Sequence, residues 1–325
     1  MKLHEDKKLF RQAIQATADK MGIQAIYVEK DYWVTYALYT IFNSELSDDV
    51  VFKGGTALSK CYNLIERFSE DIDLVVLRSE GESDSKMRTK LKTISKSIES
   101  VLPEVDIPEV TNKKGMNRKT AHAYEQVFKG DFGQIRDVII LESSWLGYYE
   151  PSNTKQIISF VGNMMLSNGQ EDLAKENELM PFEIRVLDPI RTICEKIMSL
   201  VRFSYGEHPI DDLKSKIRHI YDLHKLLQQK ELLEFFKSSE FEKMLLKVAN
   251  DDVASYKNNN EWLQYHPNTS LLFEKLDEIL KELEPVFKGD FKMLVYGELP
   301  EFSDVAKTLQ LIRERMGKID WTIEI

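Results

Sequence analysis

Asp71 and Asp73 stand two residues apart in the run Asp71-Ile72-Asp73-Leu74-Val75-Val76-Leu77. The run is short, dense and β-branched, which predicts a strand over 71–77. Alternate residues of a strand share a face, so both carboxylates project together while Ile72 turns to the core. Carboxylates that close repel each other, and they stay ionised as a pair only around a cation. Oxygen donors of this hardness suit Mg²⁺, which keeps waters and bridges to phosphates. Upstream, Gly54-Gly55-Thr56 closes an apolar run, Val50–Lys53. That run reads as a strand ending in a tight turn, with Thr56 as N-cap of a helix over 57–66. Backbone N–H groups at a helix N-terminus accept phosphate. Each part is common alone, and most isolated D-x-D pairs are solvated residues at a turn or strand edge. Turn, helix and D-x-D strand in that order describe phosphoryl or nucleotidyl transfer, where metal ions hold attacking and leaving oxygens.

Further candidates lie downstream. Lys196 and Arg202 sit among apolar residues of a helix over 188–204. A cation there either neutralises phosphate charge or snorkels from a buried face. Arg191 and Glu195, four apart, predict a surface ion pair. A helix over 211–229 buries Leu213, Ile217, Ile220 and Leu227, and Asp222 lies off that stripe beside His219. Asp222 is by default a solvated helix aspartate. Glu142 ends a strand predicted over 135–142, and strand ends often carry an acid with no special task.

The elements needed to position these groups divide the chain in two. Helices are expected over 5–21 and 29–42, the second apolar almost all round and so buried. After the D-x-D strand come a basic helix over 85–101, a loop or ribbon over 103–120, and strands near 122–129 and 135–142. Gly130 and Gly133 separate those two strands, and 155–165 is ambiguous. From Asp188 onward the pattern is helical. The fold class is therefore α+β: residues 1–187 as a mixed domain and 188–325 as a mainly helical one that completes the site.

Composition bounds the rest. The 325 residues carry 44 Lys and Arg against 54 Asp and Glu, a net charge of −10, which argues against indiscriminate nucleic-acid binding. Residues 86–119 run the other way, with nine basic residues against four acids, a local net of +5. Such a stretch suits an RNA backbone or is simply a solvated face. Tyr124 and Phe128 are candidates to stack on a base or, more ordinarily, strand core. The two cysteines, Cys61 and Cys194, make no metal-ligand spacing. With no apolar leader core and no apolar run of spanning length, a cytoplasmic protein without a membrane segment is expected.

The segment 52–74 resembles the first motif of nucleotidyltransferases with a DNA polymerase beta-like core. It is most similar to the AbiEii/AbiGii-type toxin branch, whose signature is Gly-Gly-Thr followed by Arg-x-Ser-x-Asp-x-Asp. Here these are Gly54, Gly55, Thr56, Arg67, Ser69, Asp71 and Asp73. The wider superfamily has Gly-Ser where this chain has Gly55-Thr56, and a shorter gap to the aspartates. Residues 29–34 (EKDYWV) and 295–305 (VYGELPEFSDV) also look familial. The resemblance implies a small mixed sheet with helices, followed by a helical region. It implies Mg²⁺, with Mn²⁺ as the alternative, and an NTP as substrate. By the same resemblance Gly54, Gly55, Thr56, Arg67 and Ser69 bind nucleotide. Lys196 contacts its phosphates with Arg202 as a second candidate, and Asp222 either orients Lys196 or acts as a base. Asp71 and Asp73 hold metal, and a third carboxylate on a neighbouring strand is expected, for which Glu142 is the best match. It further implies a toxin of a toxin–antitoxin system, a role in phage defence, a cognate antitoxin, and tRNA as acceptor. Two other readings stay open: a nucleotidyltransferase acting on a protein or small molecule, and a non-catalytic nucleotide- or partner-binding module.

Overall fold

The computed structural model of the chain describes residues 1–108, 110–130, 136–145, 148–256 and 259–325. Glu109, Gly133 and Ile135, which entered the readings above, lie outside them. The chain divides into two units, Met1–Asn63 with Phe68–Leu187, and Leu64–Arg67 with Asp188–Ile325.

In the first unit, α1 (Lys7–Met21) begins where the Asp6 carboxylate accepts the N–H groups of Lys8 and Leu9. It ends at Gly22 in the left-handed region. Then follow α2 (Ala25–Phe42), β1 (Val50–Lys53), α3 (Gly54–Lys60) and β2 (Ile72–Val76). The remaining elements are α4 (Asp84–Ser97), β3 (Glu104–Val105), β4 (Asn117–His122), β5 (Ile139–Ser144), β6 (Ser152–Ile157), α5 (Phe160–Ser167), α6 (Glu171–Glu176) and β7 (Phe182–Leu187). The seven strands form one mixed sheet in the order β3-β4-β5-β2-β1-β7-β6. β1 runs antiparallel to β2 and parallel to β7, and β2 runs parallel to β5.

Alternation along the strands decides what each face carries. Phe52, Ile72, Leu74, Ile139, Leu141 and Val186 join the main core with α1, α2, α4 and α5. On the opposite face, Val51, Val75 and Leu187 make a small separate cluster. Ala121 and Ile140 of the same face join Val138 in a second apolar cluster, and the face also carries Asp73 and Glu142.

Several expectations are corrected. Thr56 does not cap a helix over 57–66, because α3 starts at Gly54 and stops at Lys60. The ribbon expected over 103–120 contains β3 and the start of β4, and 122–129 is mostly loop. β4 escapes a hydrophobic pattern because its buried face is polar. Thr120 and His122 are fully buried there and satisfied by each other at 2.8 Å. His122 Nδ1 pairs with the Leu102 carbonyl at 2.9 Å.

The second unit is helical, with α7 (Pro189–Phe203), α8 (Pro209–Ser215), α9 (Ile217–Leu227), α10 (Lys230–Lys237), α11 (Ser239–Ser255), α12 (Leu271–Glu274), α13 (Leu276–Lys288) and α14 (Phe302–Met316). Asp188 caps α7 through the Ile190 N–H, with Pro189 in the first turn. The helix expected over 211–229 is broken at Lys216 into α8 and α9. Arg191 is not at the surface. It is 1% exposed and bridges Glu195 at 3.0 Å and Asp251 at 2.6 Å. The architecture is thus a mixed sheet with helices followed by a helical region. Among the described residues no helix is long and apolar enough to cross a membrane.

The buried helix α2 carries three consecutive charges, each with an assigned partner. Glu29 accepts the N–H groups of Val127 and Phe128 at 2.7 and 2.9 Å. Lys30 pairs with Glu70 and donates to the Arg136 carbonyl. Asp31 pairs with Lys60 and accepts the Phe160 N–H at 2.7 Å. Lys30 and Glu70 are both almost wholly buried, and Glu70 directly precedes Asp71. Removing one partner of such a pair strands the other charge, so Lys30→Met is expected to lower unfolding stability by about 3–5 kcal/mol. Lys30→Met with Glu70→Leu should recover most of it. Urea unfolding of the three proteins checks this, and a single-variant loss under about 1 kcal/mol would contradict a buried ionic tie.

Candidate active site

The polar face of the sheet carries one row of charges set by strand register. Lys53 of β1 lies opposite Asp73 of β2, Asp73 opposite Glu142 of β5, and Glu142 opposite Lys119 of β4. Residues directly opposite one another across strands share a face. The row therefore reads cation, carboxylate, carboxylate, cation, with Asp71 two residues before Asp73. Glu142 is held by Lys119 at 3.0 Å and by the Asn117 amide at 2.9 Å. Burial works to raise its carboxyl, but Lys119 and Asn117 overcome that and keep it below the ordinary carboxylate value. Asp73 has the opposite balance. Burial first, then the charges of Asp71 and Glu142, push it up to about 7.

The turn before the row is shaped around Asp73. Gly54 has φ +83°, and a Cβ on it would stand 2.3 Å from Asp73 Oδ2. Only glycine meets both conditions. Thr56, 1% exposed, donates to the Asp71 carbonyl at 2.7 Å, and its oxygen lies 3.0 Å from Ser69 Oγ. Its hydroxyl thus ties α3 to the residues entering the D-x-D strand.

A divalent cation fits this pair of aspartates. Among the described residues Asp71 Oδ1 is buried without a hydrogen-bond partner, and the Arg136 guanidinium is 4.0 Å away. Among the described residues no trio of His, Cys, Asp or Glu stands in ready ligating geometry. Glu142 is beside Asp73 in register, but Lys119 and Asn117 hold its oxygens. A metal ion here would polarise phosphate oxygens and stabilise the charge of a leaving pyrophosphate.

The second unit holds its own cluster. Arg67 forks onto Asp222, Nε to Oδ1 and Nη2 to Oδ2, both at 2.7 Å. Lys196 Nζ meets the same Oδ2 at 2.8 Å. All three are buried, at 2%, 0% and 6% exposure. Burial works to raise the Asp222 carboxyl, but Arg67 and Lys196 outweigh it and hold Asp222 far below the ordinary range. A carboxylate so held orients two cations and is a poor proton acceptor. His219 lies on the same helix, and burial first and Lys196 second keep it neutral. Arg67 is anchored by a strap from the end of the chain. Tyr296 and Gly297 N–H groups bond the Glu66 carbonyl at 3.0 and 3.2 Å. A Cβ at Gly297 would stand 2.6 Å from Glu66 Cβ, which explains the Tyr-Gly of 295–305. Arg202 stands apart, its guanidinium 4.4 Å over the Tyr256 ring.

Register thus brings Asp73 and Glu142 to one face, with Asp71 just before β2, and ion pairing joins Arg67, Lys196 and Asp222. Lys53, Asn117 and Lys119 were not singled out from sequence. Lys53 was signalled by its place before Gly54, whereas Lys119 was hidden in a basic segment. Tyr124 is buried in the main core, and Phe128 packs against it.

An aspartate pair backed by a glycine turn is the equipment of a nucleotidyltransferase. The family described as "Nucleotidyl transferase AbiEii toxin, Type IV TA system" matches residues 36–310, and the chain belongs to it. It is a nucleotidyltransferase and the toxin of a toxin–antitoxin pair. Among solved structures it is similar to MenT4, a nucleotidyltransferase toxin from Mycobacterium tuberculosis H37Rv, with 14% identity, TM-score 0.46, and 92% of this chain and 99% of that one covered. It is also similar to JHP933 from Helicobacter pylori, with 18% identity, TM-score 0.40, and 90% and 94% covered. No curated protein matches it significantly.

Two outcomes follow. The raised Asp73 value means that folding costs more as pH climbs from about 4 to about 7, and the cost is fully present above that. Asp73→Asn should therefore melt above the unsubstituted protein by a few degrees at about pH 8, the gap closing toward pH 4. Millimolar Mg²⁺ should raise the melting temperature of the unsubstituted protein and not of the variant. A pH-independent gap in thermal scans would contradict the buried-carboxylate account. Gly54→Ala should leave far-UV circular dichroism unchanged while nucleotide transfer falls about 10²-fold, because displacing Asp73 by an ångström misplaces the reacting groups.

Proposed function

We propose that this toxin transfers a nucleotide from an NTP to a hydroxyl of RNA, with tRNA as the acceptor, in a Mg²⁺-dependent reaction that releases pyrophosphate. The observation that carries it is the aspartate pair, with its unpartnered Asp71 oxygen, standing against the Gly54 backbone. Asp71 and Asp73 hold the metal, Mn²⁺ being able to replace Mg²⁺. Glu142, opposite Asp73 in register, would be the third carboxylate of that set. Gly54 lets the backbone close on Asp73, Gly54 and Gly55 offer backbone N–H groups to a triphosphate, and Thr56 and Ser69 fix the approach to Asp71. Lys196 meets nucleotide phosphate, whereas Arg202, seated over Tyr256, takes no part in that contact. Asp222 and Arg67 position Lys196, and Asp222 stays ionised throughout. In the attack the acceptor oxygen bonds to the α-phosphorus, the bond to the bridging oxygen breaks, and the hydroxyl proton leaves to solvent or a nearby carboxylate.

RNA is favoured by helix α4. Arg88, Lys92 and Lys96 are exposed and four residues apart, so they line one face as a basic stripe. Like charges at that spacing weaken a helix, and a polyanion bound along the stripe relieves the repulsion. Lys96 also lies 3.7 Å from Glu99, and much of the rest of the +5 stretch is paired. Lys90 pairs with Asp49 and Glu82, Lys113 and Arg118 with Glu104, and Lys119 with Glu142. The reaction draws on the cytoplasmic NTP pool, and the cognate antitoxin opposes it.

Incubating the protein with each labelled NTP, Mg²⁺ and total tRNA should transfer label to RNA. Asp73→Ala should abolish transfer, and Lys196→Met should lower it by about 10²–10³-fold. Label appearing only on protein or on a small molecule would replace the RNA reading.

A further inference from the structure

The helical unit contains a cavity of about 430 Å³ to which the proposed transfer chemistry assigns no role. Its size falls in the ~300–1,000 Å³ range of small-ligand sites. Trp262 forms a buried part of the wall. Tyr205 and Tyr265 are 38% and 56% exposed, and their rings lie near-parallel, 18° apart with centroids at 6.1 Å. The Tyr205 hydroxyl is 3.2 Å from Thr269 Oγ1, which fixes this platform. Among the described residues three charged groups complete the lining: the Arg202 guanidinium and the Asp212 and Glu261 carboxylates.

This combination selects among ligands. A purely apolar ligand would strip water from three charges without replacing it. A cation would meet Arg202, already seated against aromatic faces. A planar heteroaromatic ring with donors on one edge and acceptors on another satisfies everything present. Guanine has that pattern: N1–H and N2–H₂ donate to a carboxylate, while O6 and N7 accept from arginine. Its face stacks on tyrosine as any base does.

We propose that this cavity receives an unstacked guanine of the bound RNA. The inference rests on the RNA reading above and extends it, since it concerns how an acceptor is recognised, not how it is modified.

The test uses the full-length protein and fluorescein-labelled single-stranded RNA, a short uridine tract with or without one central guanosine. Anisotropy should show tighter binding of the guanosine-bearing tract by about tenfold. Tyr265→Ala and Tyr205→Ala, both exposed positions, should erase that difference, and Tyr265→Phe should keep it. The salt dependence should be unchanged in the tyrosine variants, whereas Arg88→Gln should lower its slope by about one. If both tracts bind equally and the tyrosine variants match the unsubstituted protein, the cavity assignment fails while the RNA reading stands. If neither tract binds and total tRNA takes no label, the RNA reading fails and the cavity assignment with it. Displacement of the oligomer by micromolar free GTP would assign the cavity to a mononucleotide and overturn the proposal. Loss of antitoxin binding alone in the tyrosine variants would overturn it in favour of a protein ligand.

Discussion

Two carboxylates two residues apart on one strand repel, and the first unit is arranged around that repulsion. The core cannot absorb it, because the alternate residues Ile72 and Leu74 are already committed to the apolar face. Relief comes from the same face. Lys53 and Lys119 flank the row at either end, and both lower the cost of ionising Asp73 without removing it. Asp73 is left with a value near neutrality, so a modest added positive charge is enough to ionise it. A site with more fixed cations would be more stable when empty and less responsive to a metal. The backbone makes the matching concession at Gly54, where a positive φ and the absence of a side chain allow the close approach.

The second unit solves the reverse problem. Arg67 and Lys196 are buried cations four residues or fewer from apolar neighbours, and each would be costly alone. Asp222 pairs with both, and the geometry is bidentate on the arginine side. Arg67 belongs to a four-residue segment whose flanking chain lies in the first unit. The Tyr296–Gly297 strap at Glu66 therefore fixes a residue only four positions before Asp71 in the chain. The two charge clusters are linked covalently through residues 68–70, with Glu70 itself anchored by Lys30.

What was legible in sequence was what period and order encode. The D-x-D strand, the glycine turn, the short strand before it and the helical second half follow from apolar spacing and punctuation. Partnership is not encoded that way. Arg191 and Glu195 show their i, i+4 spacing in sequence, but not the Asp251 that buries them. Residues 29–31 of α2 interrupt an apolar helix with three charges, and only long-range partners at 127, 70 and 60 explain why they are tolerated. β4 failed for a related reason. A strand whose inner face is Thr120 and His122 is stabilised by hydrogen bonds, which no hydropathy pattern reports. Thr56 was read for its hydroxyl correctly as a hydrogen-bonding residue but given the wrong partner, because Gly54 can itself begin a helix.

Net charge illustrates the same limit at larger scale. A chain of −10 holds a stretch of +5, which invites the picture of a basic patch on an acidic protein. Much of that excess disappears on folding, since Asp49 and Glu82 lie outside the stretch and reach Lys90 inside it. What α4 offers is more directional: Arg88, Lys92 and Lys96 are exposed along one face, about 6 Å of rise apart, with Lys96 also 3.7 Å from Glu99. A phosphate chain meets such a line well, and a compact anion meets only one member of it. The linear arrangement, more than the amount of charge, is what argues for a polynucleotide acceptor.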